Sequence, residues 1–332
     1  MINDLNWQLF PNRPTFDFFS QVMWKTYWGK IFQSECDWCF GSRFPLSNEN
    51  LCFGNPKILP KTIFVQLEGS MPLFIKKILP SIPKDHKFVL IIGDSDHTFP
   101  QQLDVRYNLK FLDVYEELIS DSRILHIFCV HLDVPKNDMI SPFPVGLDFG
   151  WFKPIPKLTD NFNTDINSKQ LKIFNCDRIR KGMQWEDRRI VHRICSNEWS
   201  EFSVCCEDEI KNNPPPCIDF NKYLNQNSFM LCPHGGGLEP NPKVFHALLF
   251  GMIPIVKKFV NCELLYQDLP VVFIPDWKSE YINIEKLQIW RESFKDYFYN
   301  QDKRKQVLYK LTNDYWKDYI QKESNADFSL WD

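Results

Sequence analysis

Apolar residues in this chain come in short unbroken runs, set apart by polar stretches that carry proline or glycine. Residues 63–67 (IFVQL), 88–93 (FVLIIG) and 124–130 (ILHIFCV) have strand length and little polar alternation, the pattern of strands buried on both faces of a sheet. Between them, residues 71–79 and 112–118 carry apolar positions at helical spacing. Strand, helix and strand in alternation predict a parallel sheet with helical crossovers. The rhythm resumes with strands at 171–175, 202–206, 228–232, 253–256 and 270–274, and helices at 187–196 and 243–250. Residues 16–32 mix aromatic and aliphatic positions at helix-compatible spacing, and 284–323 predict an amphipathic helical tail. Pro142, Pro144, Pro154 and Pro156 punctuate the chain between the two rhythmic halves. The expected organisation is a domain over 1–156, a second over 157–300, and a C-terminal helix over 301–332.

Residues 228–243 carry the densest chemistry. A strand pattern ends at Cys232, and Pro233-His234-Gly235-Gly236-Gly237 breaks it. Helical spacing then resumes at Lys243, with Asn241 and Pro242 expected as N-cap and first helical residue. Unpaired N–H groups at a helix start and glycines without side chains suit a phosphate. Lys243 adds a full charge, with Arg189 or Arg188 as further candidates. The competing reading is a loop before an ordinary helix. There is no GxxxxGK[ST] motif and the consecutive glycines lack GxGxxG spacing, which argues against a P-loop ATPase or a nicotinamide enzyme.

CPHGGGLEPNPKVFHALLFGMIPIV, followed by LPVVFIPDW, resembles the donor half of exostosin-like glycosyltransferases, a family that includes virus-encoded xylosyltransferase-like proteins. SPFPVGLDFGWF at 141–152 and FVLIIGDSDHTFP at 88–100 are similar to further segments of that family, and together the matches cover about a third of the chain. The resemblance implies an α/β chain of GT-B type: two facing Rossmann-like domains, a cleft between them and a helical C-terminal tail, 301–332, that packs back on the N-terminal domain. It implies an inverting, metal-independent transfer from a UDP-sugar, UDP-xylose first, to a glycan hydroxyl of an oligosaccharide or glycoprotein. The donor-binding set would be His234, Gly235, Gly236, Gly237, Lys243, His246 and Arg189. Lys243 stands where the family usually has arginine and His246 where it has glutamate. Lysine keeps the charge but loses the bidentate fork.

An inverting transfer needs a base at the carboxyl end of a strand in the first domain. Asp96 is the first choice and Glu68 the second, with His97 and Asp148 behind them. Asp94-Ser95-Asp96 also admits a metal-dependent reading, because an Asp-x-Asp after an apolar strand offers oxygen ligands to a divalent ion. A third reading is an inactive relative that binds sugar nucleotides. No cofactor beyond the donor and no bound metal are expected.

Composition narrows the partners. The 332 residues are 44% hydrophobic and 24% charged with a net charge of −3, so no broad basic surface advertises nucleic acid. The N-terminus lacks signal-peptide character and no apolar stretch is long enough to span a membrane. A cytoplasmic protein, a soluble catalytic fragment or a virus-encoded enzyme acting in host cytoplasm is expected. The 11 cysteines are scattered and are expected mainly as free, buried thiols.

Overall fold

A computed structural model describes residues 5, 7–8, 32–41, 52–67, 69–103, 111–147, 164–179, 181–205, 220–240 and 242–331. The chain divides into two compact units. It leaves the first at Val145 and returns to it at Asn313, and the described residues of the second unit lie between these points.

Among the described residues, the first unit holds strands β1 (Trp7–Gln8), β2 (Trp38–Phe40), β3 (Cys52–Gly54), β4 (Thr62–Gln66), β5 (Phe88–Gly93), β6 (Ile124–Cys129) and β7 (Ile140–Pro142) in one sheet of order β1-β3-β2-β4-β5-β6-β7. Only β2 and β3 pair antiparallel there. All of β5 is buried, as a central parallel strand covered on both faces must be. Helix α1 (Leu112–Ser120) lies between β5 and β6 in sequence.

The helix expected over 71–79 is instead three pieces: Met71–Leu73, a wide π turn at Phe74–Ile78 and a tight turn at Leu79–Ser81. Pro80 explains the break. It has no N–H for the carbonyl four residues back and its ring crowds that carbonyl, while the Leu79 N–H reaches Phe74 O, one residue further back than in an α-helix.

The second unit holds β8 (Gln170–Asn175), β9 (Ser203–Cys205), β10 (Asn227–Leu231), β11 (Ile253–Lys257) and β12 (Val272–Ile274), all parallel, in the order β12-β11-β10-β8-β9. Its α-helices among the described residues are α2 (Glu186–Ser196), α3 (Phe220–Gln226), α4 (Lys243–Leu249), α5 (Cys262–Leu265), α6 (Ile284–Phe294), α7 (Asp296–Tyr299) and α8 (Gln301–Lys310). Together with α9 (Asn313–Glu323), the last three form the tail that the sequence reading took as one helical run. Asn300 divides it: its side chain accepts the N–H groups of Asp302 and Lys303, which starts a new helix.

Helix α4 is clamped at its C-terminus. Arg304 donates to the carbonyls of Leu248 and Leu249, and the buried Lys169 ammonium to those of Phe250 and Leu224. Burial pulls Lys169 down to about 7. Gly251 then turns the chain at φ +68, where a Cβ would lie 2.9 Å from Thr164 Cα, so only glycine fits without strain.

In the first unit, α9 lays Trp316 against Phe143 and Tyr319 against Phe128, with ring centroids 5.5 and 5.8 Å apart. Ion pairs Lys317–Glu35 and Lys136–Glu323 flank this contact. No helix among the described residues is long and apolar enough to cross a membrane. The nine described cysteines are free thiols, and all but Cys205 are buried.

Candidate functional site

The strand order of the second sheet reverses between β8 and β10. From β8 the chain goes outward to β9 on one side, then returns through β10, β11 and β12 on the other. At such a reversal the connections leave in opposite directions and a crevice opens beyond the carboxyl ends of the two strands. Here those ends are Asn175-Cys176-Asp177 after β8 and the segment 232–240 after β10.

Asp177, only 1% exposed, is the hub. Its Oδ1 is ion-paired with Lys243, the first residue of α4, and lies 3.5 Å from Arg188 Nε on α2. Arg188 Nε donates to His234 O at 3.1 Å, which ties α2 to the glycine loop, and the guanidinium lies over the Trp185 ring at 4.6 Å. Beside it, Asp187 binds Lys257 at the end of β11 at 2.6 Å and faces His234 Nδ1 at 3.7 Å. Lys243, Arg188 and Lys257 oppose Asp177 and Asp187, and Glu239 in the adjoining loop is a third carboxylate. The loop from His234 to Pro240 is closed by a bridge between those two residues. The buried Glu239 accepts the Tyr266 hydroxyl at 2.9 Å, and burial next to that carboxylate pushes the phenol well above its usual range. Gly235 and Gly236 are buried in the wall of this loop.

The expected donor residues fall as follows. His234 and Gly237 are half-buried, while Gly235 and Gly236 are buried. Lys243 is fully buried on Asp177. His246 is fully buried, edge-on to Phe220 at a centroid distance of 5.9 Å. Arg189 is half-buried and donates to Gly182 O at 2.6 Å. Asn241 lies outside the described residues. Pro242 stands just before the first turn of α4 rather than within it, and α4 has only 7 residues, so its dipole contributes less than the discrete charges around it. Asp177, Trp185, Asp187 and Lys257 were missed from sequence, because each draws its meaning from a partner on another element.

In the first unit, β4, β5 and β6 end side by side at Gln66, Gly93 and Cys129. The chain after β5 turns through Asp94 at φ +50 and the chain after β6 through His131 at φ +58, two non-glycine residues in the left-handed region. Gln66 Nε2 donates to Asp94 O at 3.0 Å. Asp96 is exposed and its charge acts on His131. Burial holds that imidazole down at about 4, against the opposing pull of Asp96. His97 is buried, with Nδ1 2.8 Å from Ser95 Oγ. Asp133 accepts Thr98 Oγ1 at 2.6 Å and Gln101 N at 3.0 Å, while burial raises its carboxyl. Glu68 and Asp148 lie outside the described residues.

No protein-family model matches this sequence. No curated protein matches it by sequence either. Solved structures align with it. An alpha1,3-fucosyltransferase covers 85% of this chain and 83% of its own length, at a TM-score of 0.36 and 10% identity. Sucrose-phosphate synthase from Thermosynechococcus elongatus covers 80% and 72%, at 0.45 and 8%. The Anabaena protein HepE, solved in complex with UDP, covers 80% and 74%, at 0.41 and 9%.

Proposed function

We propose that the protein is a glycosyltransferase that binds a UDP-sugar at the strand-order reversal of the second unit. It transfers the sugar, with inversion and without a metal ion, to a glycan hydroxyl. The observation that carries this reading is the buried Lys243–Asp177–Arg188 cluster tied to the glycine loop. A diphosphate seated there meets the loop N–H groups of Gly235, Gly236 and Gly237 and competes with Asp177 for Lys243 and Arg188. Arg189 and His234 complete the rim, while His246 is buried against Phe220. The resemblance of residues 232–256 to the exostosin-like donor half supports a UDP-sugar, with UDP-xylose as the first donor to try.

In the reaction the acceptor oxygen attacks the anomeric carbon on the face opposite the diphosphate. The new C–O bond forms as the bond to the diphosphate oxygen breaks, and the hydroxyl proton passes to Asp96, the proposed base. Charge growing on the leaving UDP is met by Arg188, Lys243 and the loop.

Thermal and chemical denaturation with a panel of UDP- and GDP-sugars tests the donor site. A true donor at about a hundred times its dissociation constant stabilises by about 2.7 kcal/mol. If no nucleotide sugar shifts the transition, the reading fails. Lys243→Gln, which keeps a hydrogen-bond donor for Asp177 but loses the charge, is expected to remove most of the shift. Asp96→Asn is expected to keep the shift and stop transfer. A large loss of transfer on adding a chelator would overturn the metal-independent part.

A further inference from the structure

We propose that Asp133 is a positioning residue for the transfer: its buried carboxylate latches the loop after β5 that carries Asp96. The inference rests on the reading of Asp96 as the base given above. Residues 94–103 hold no helix or strand, so no regular backbone pattern of their own fixes where Asp96 stands. Two anchors from the neighbouring strands do. On one side, Gln66 at the end of β4 donates from Nε2 to Asp94 O at 3.0 Å. On the other, Asp133, just after β6 and 7% exposed, accepts the Thr98 hydroxyl at 2.6 Å on one oxygen and the Gln101 N–H at 3.0 Å on the other. Asp96 lies two residues from each anchored position. Thr98 Oγ1 also accepts the Leu103 N–H at 2.8 Å, so its own proton is turned to Asp133 and one hydroxyl gathers both ends of 98–103. Backbone pairing continues the contact: Phe99 N donates to His131 O at 3.1 Å and Asp133 N to Phe99 O at 2.8 Å. Within the loop, Ser95 Oγ accepts His97 N at 3.1 Å, a brace across Asp96.

The chemistry of the latch is that of placement. No cation pairs with Asp133 among the described residues; it is held by uncharged N–H and O–H donors, those of Thr98 and Gln101 among them. A carboxylate buried in this way is costly, and an apolar residue would cover the loop at less cost. What the carboxylate adds is direction, because hydrogen bonds to an ionised acceptor are shorter and stronger than neutral ones. A base must lie within hydrogen-bond reach of the proton it takes, and a misplacement of about 1 Å can cost about a hundredfold in rate. An exposed carboxylate on an irregular loop therefore depends on what holds that loop to the sheet.

The test uses the intact protein and three measurements. Amide hydrogen exchange over 94–103 reads the latch, UDP titration reads the donor site, and UDP release from UDP-xylose, with water as acceptor, reads turnover. Asp133→Asn keeps the size but leaves one acceptor oxygen for two donors. It is expected to speed exchange in the loop by about tenfold or more. It should also lower kcat by about 10–100-fold, with UDP affinity and donor KM within about twofold of the parent. Thr98→Val, nearly isosteric, loses the hydroxyl and should repeat this split, while Thr98→Ser keeps the hydroxyl and should restore the parent kcat. Unchanged exchange in both Asp133→Asn and Thr98→Val, donor KM moving together with kcat, or Thr98→Ser as impaired as Thr98→Val would overturn the positioning role. If the parent turns over and the Asp133 variant matches it, this role alone falls and the base reading stands. If the parent releases no UDP from UDP-xylose or any other UDP-sugar, the base reading falls and the positioning role with it.

Discussion

The two strand-end clusters treat charge in opposite ways. In the second unit, Asp177, Lys243 and Arg188 lie almost wholly out of water, with one carboxylate shared by two cations. In the first, Asp96 stands in solvent while His131 is buried on a left-handed turn. Removing one member of a buried ion cluster leaves the rest uncompensated, so the first arrangement is tied to the stability of its fold. An exposed carboxylate carries little stability, so Asp96 is free to serve chemistry. What surrounds it is strained instead, and non-glycine left-handed residues persist only where the neighbouring structure over-determines them. The comparison separates a buried ion cluster built by folding from an exposed strand-end edge held by backbone geometry.

The largest expected effect breaks the first half of that contrast. Asp177→Ala should destabilise by about 3–5 kcal/mol in urea unfolding, since Lys243 and Arg188 lose their counter-ion. Replacing the pair together, Asp177→Leu with Lys243→Met, should recover most of the loss. A single variant as stable as the parent would show that the cluster does not anchor β8 to α4.

The next effect sharpens the second half. His126 and His131 in the first unit are both held down at about 4 by burial. A histidine whose folded value lies below its unfolded value of about 6.5 contributes stability above pH 6.5 and loses it as pH falls toward 4. Each is worth on the order of 3 kcal/mol across that window, so melting temperature should fall steeply from pH 6.5 to 4. His126→Asn should flatten the fall; an unchanged profile would remove His126 from the account.

The smallest effect concerns Asp96. Asp96→Asn should leave the melting temperature within about 2 °C of the parent. Because the carboxylate pulls His131 upward, the substitution should move that histidine's NMR titration further down. No movement would show that the two side chains do not communicate.

Much of the fold was readable from the chain. The run at 88–93 is the strand Phe88–Gly93, and Gly251 was legible as the stop after α4 because its position needs a positive φ. Where reading failed, non-local geometry was the reason. The Pro80 break within residues 71–81 was hidden by good helical spacing on either side. The glycine loop was visible as glycines after a strand, but its hub was not, since Asp177 lies 66 residues before Lys243 and acquires meaning only when β8 and β10 are neighbours. Lys243 itself was read as a phosphate contact, and its burial on Asp177 was not foreseen, because sequence spacing does not say which face of a short helix is covered.

The return of the chain to the first unit has a consequence for synthesis. Trp316 and Tyr319, which cover Phe143 and Phe128, leave the ribosome only after the whole of the second unit has been made. At about 5–20 residues per second, the aromatic surface of the first unit waits on the order of ten seconds for its cover. The usual order, in which the N-terminal domain is finished first, is therefore inverted. The second unit can complete its sheet during translation, while the first is born open and needs protection until the last helix arrives.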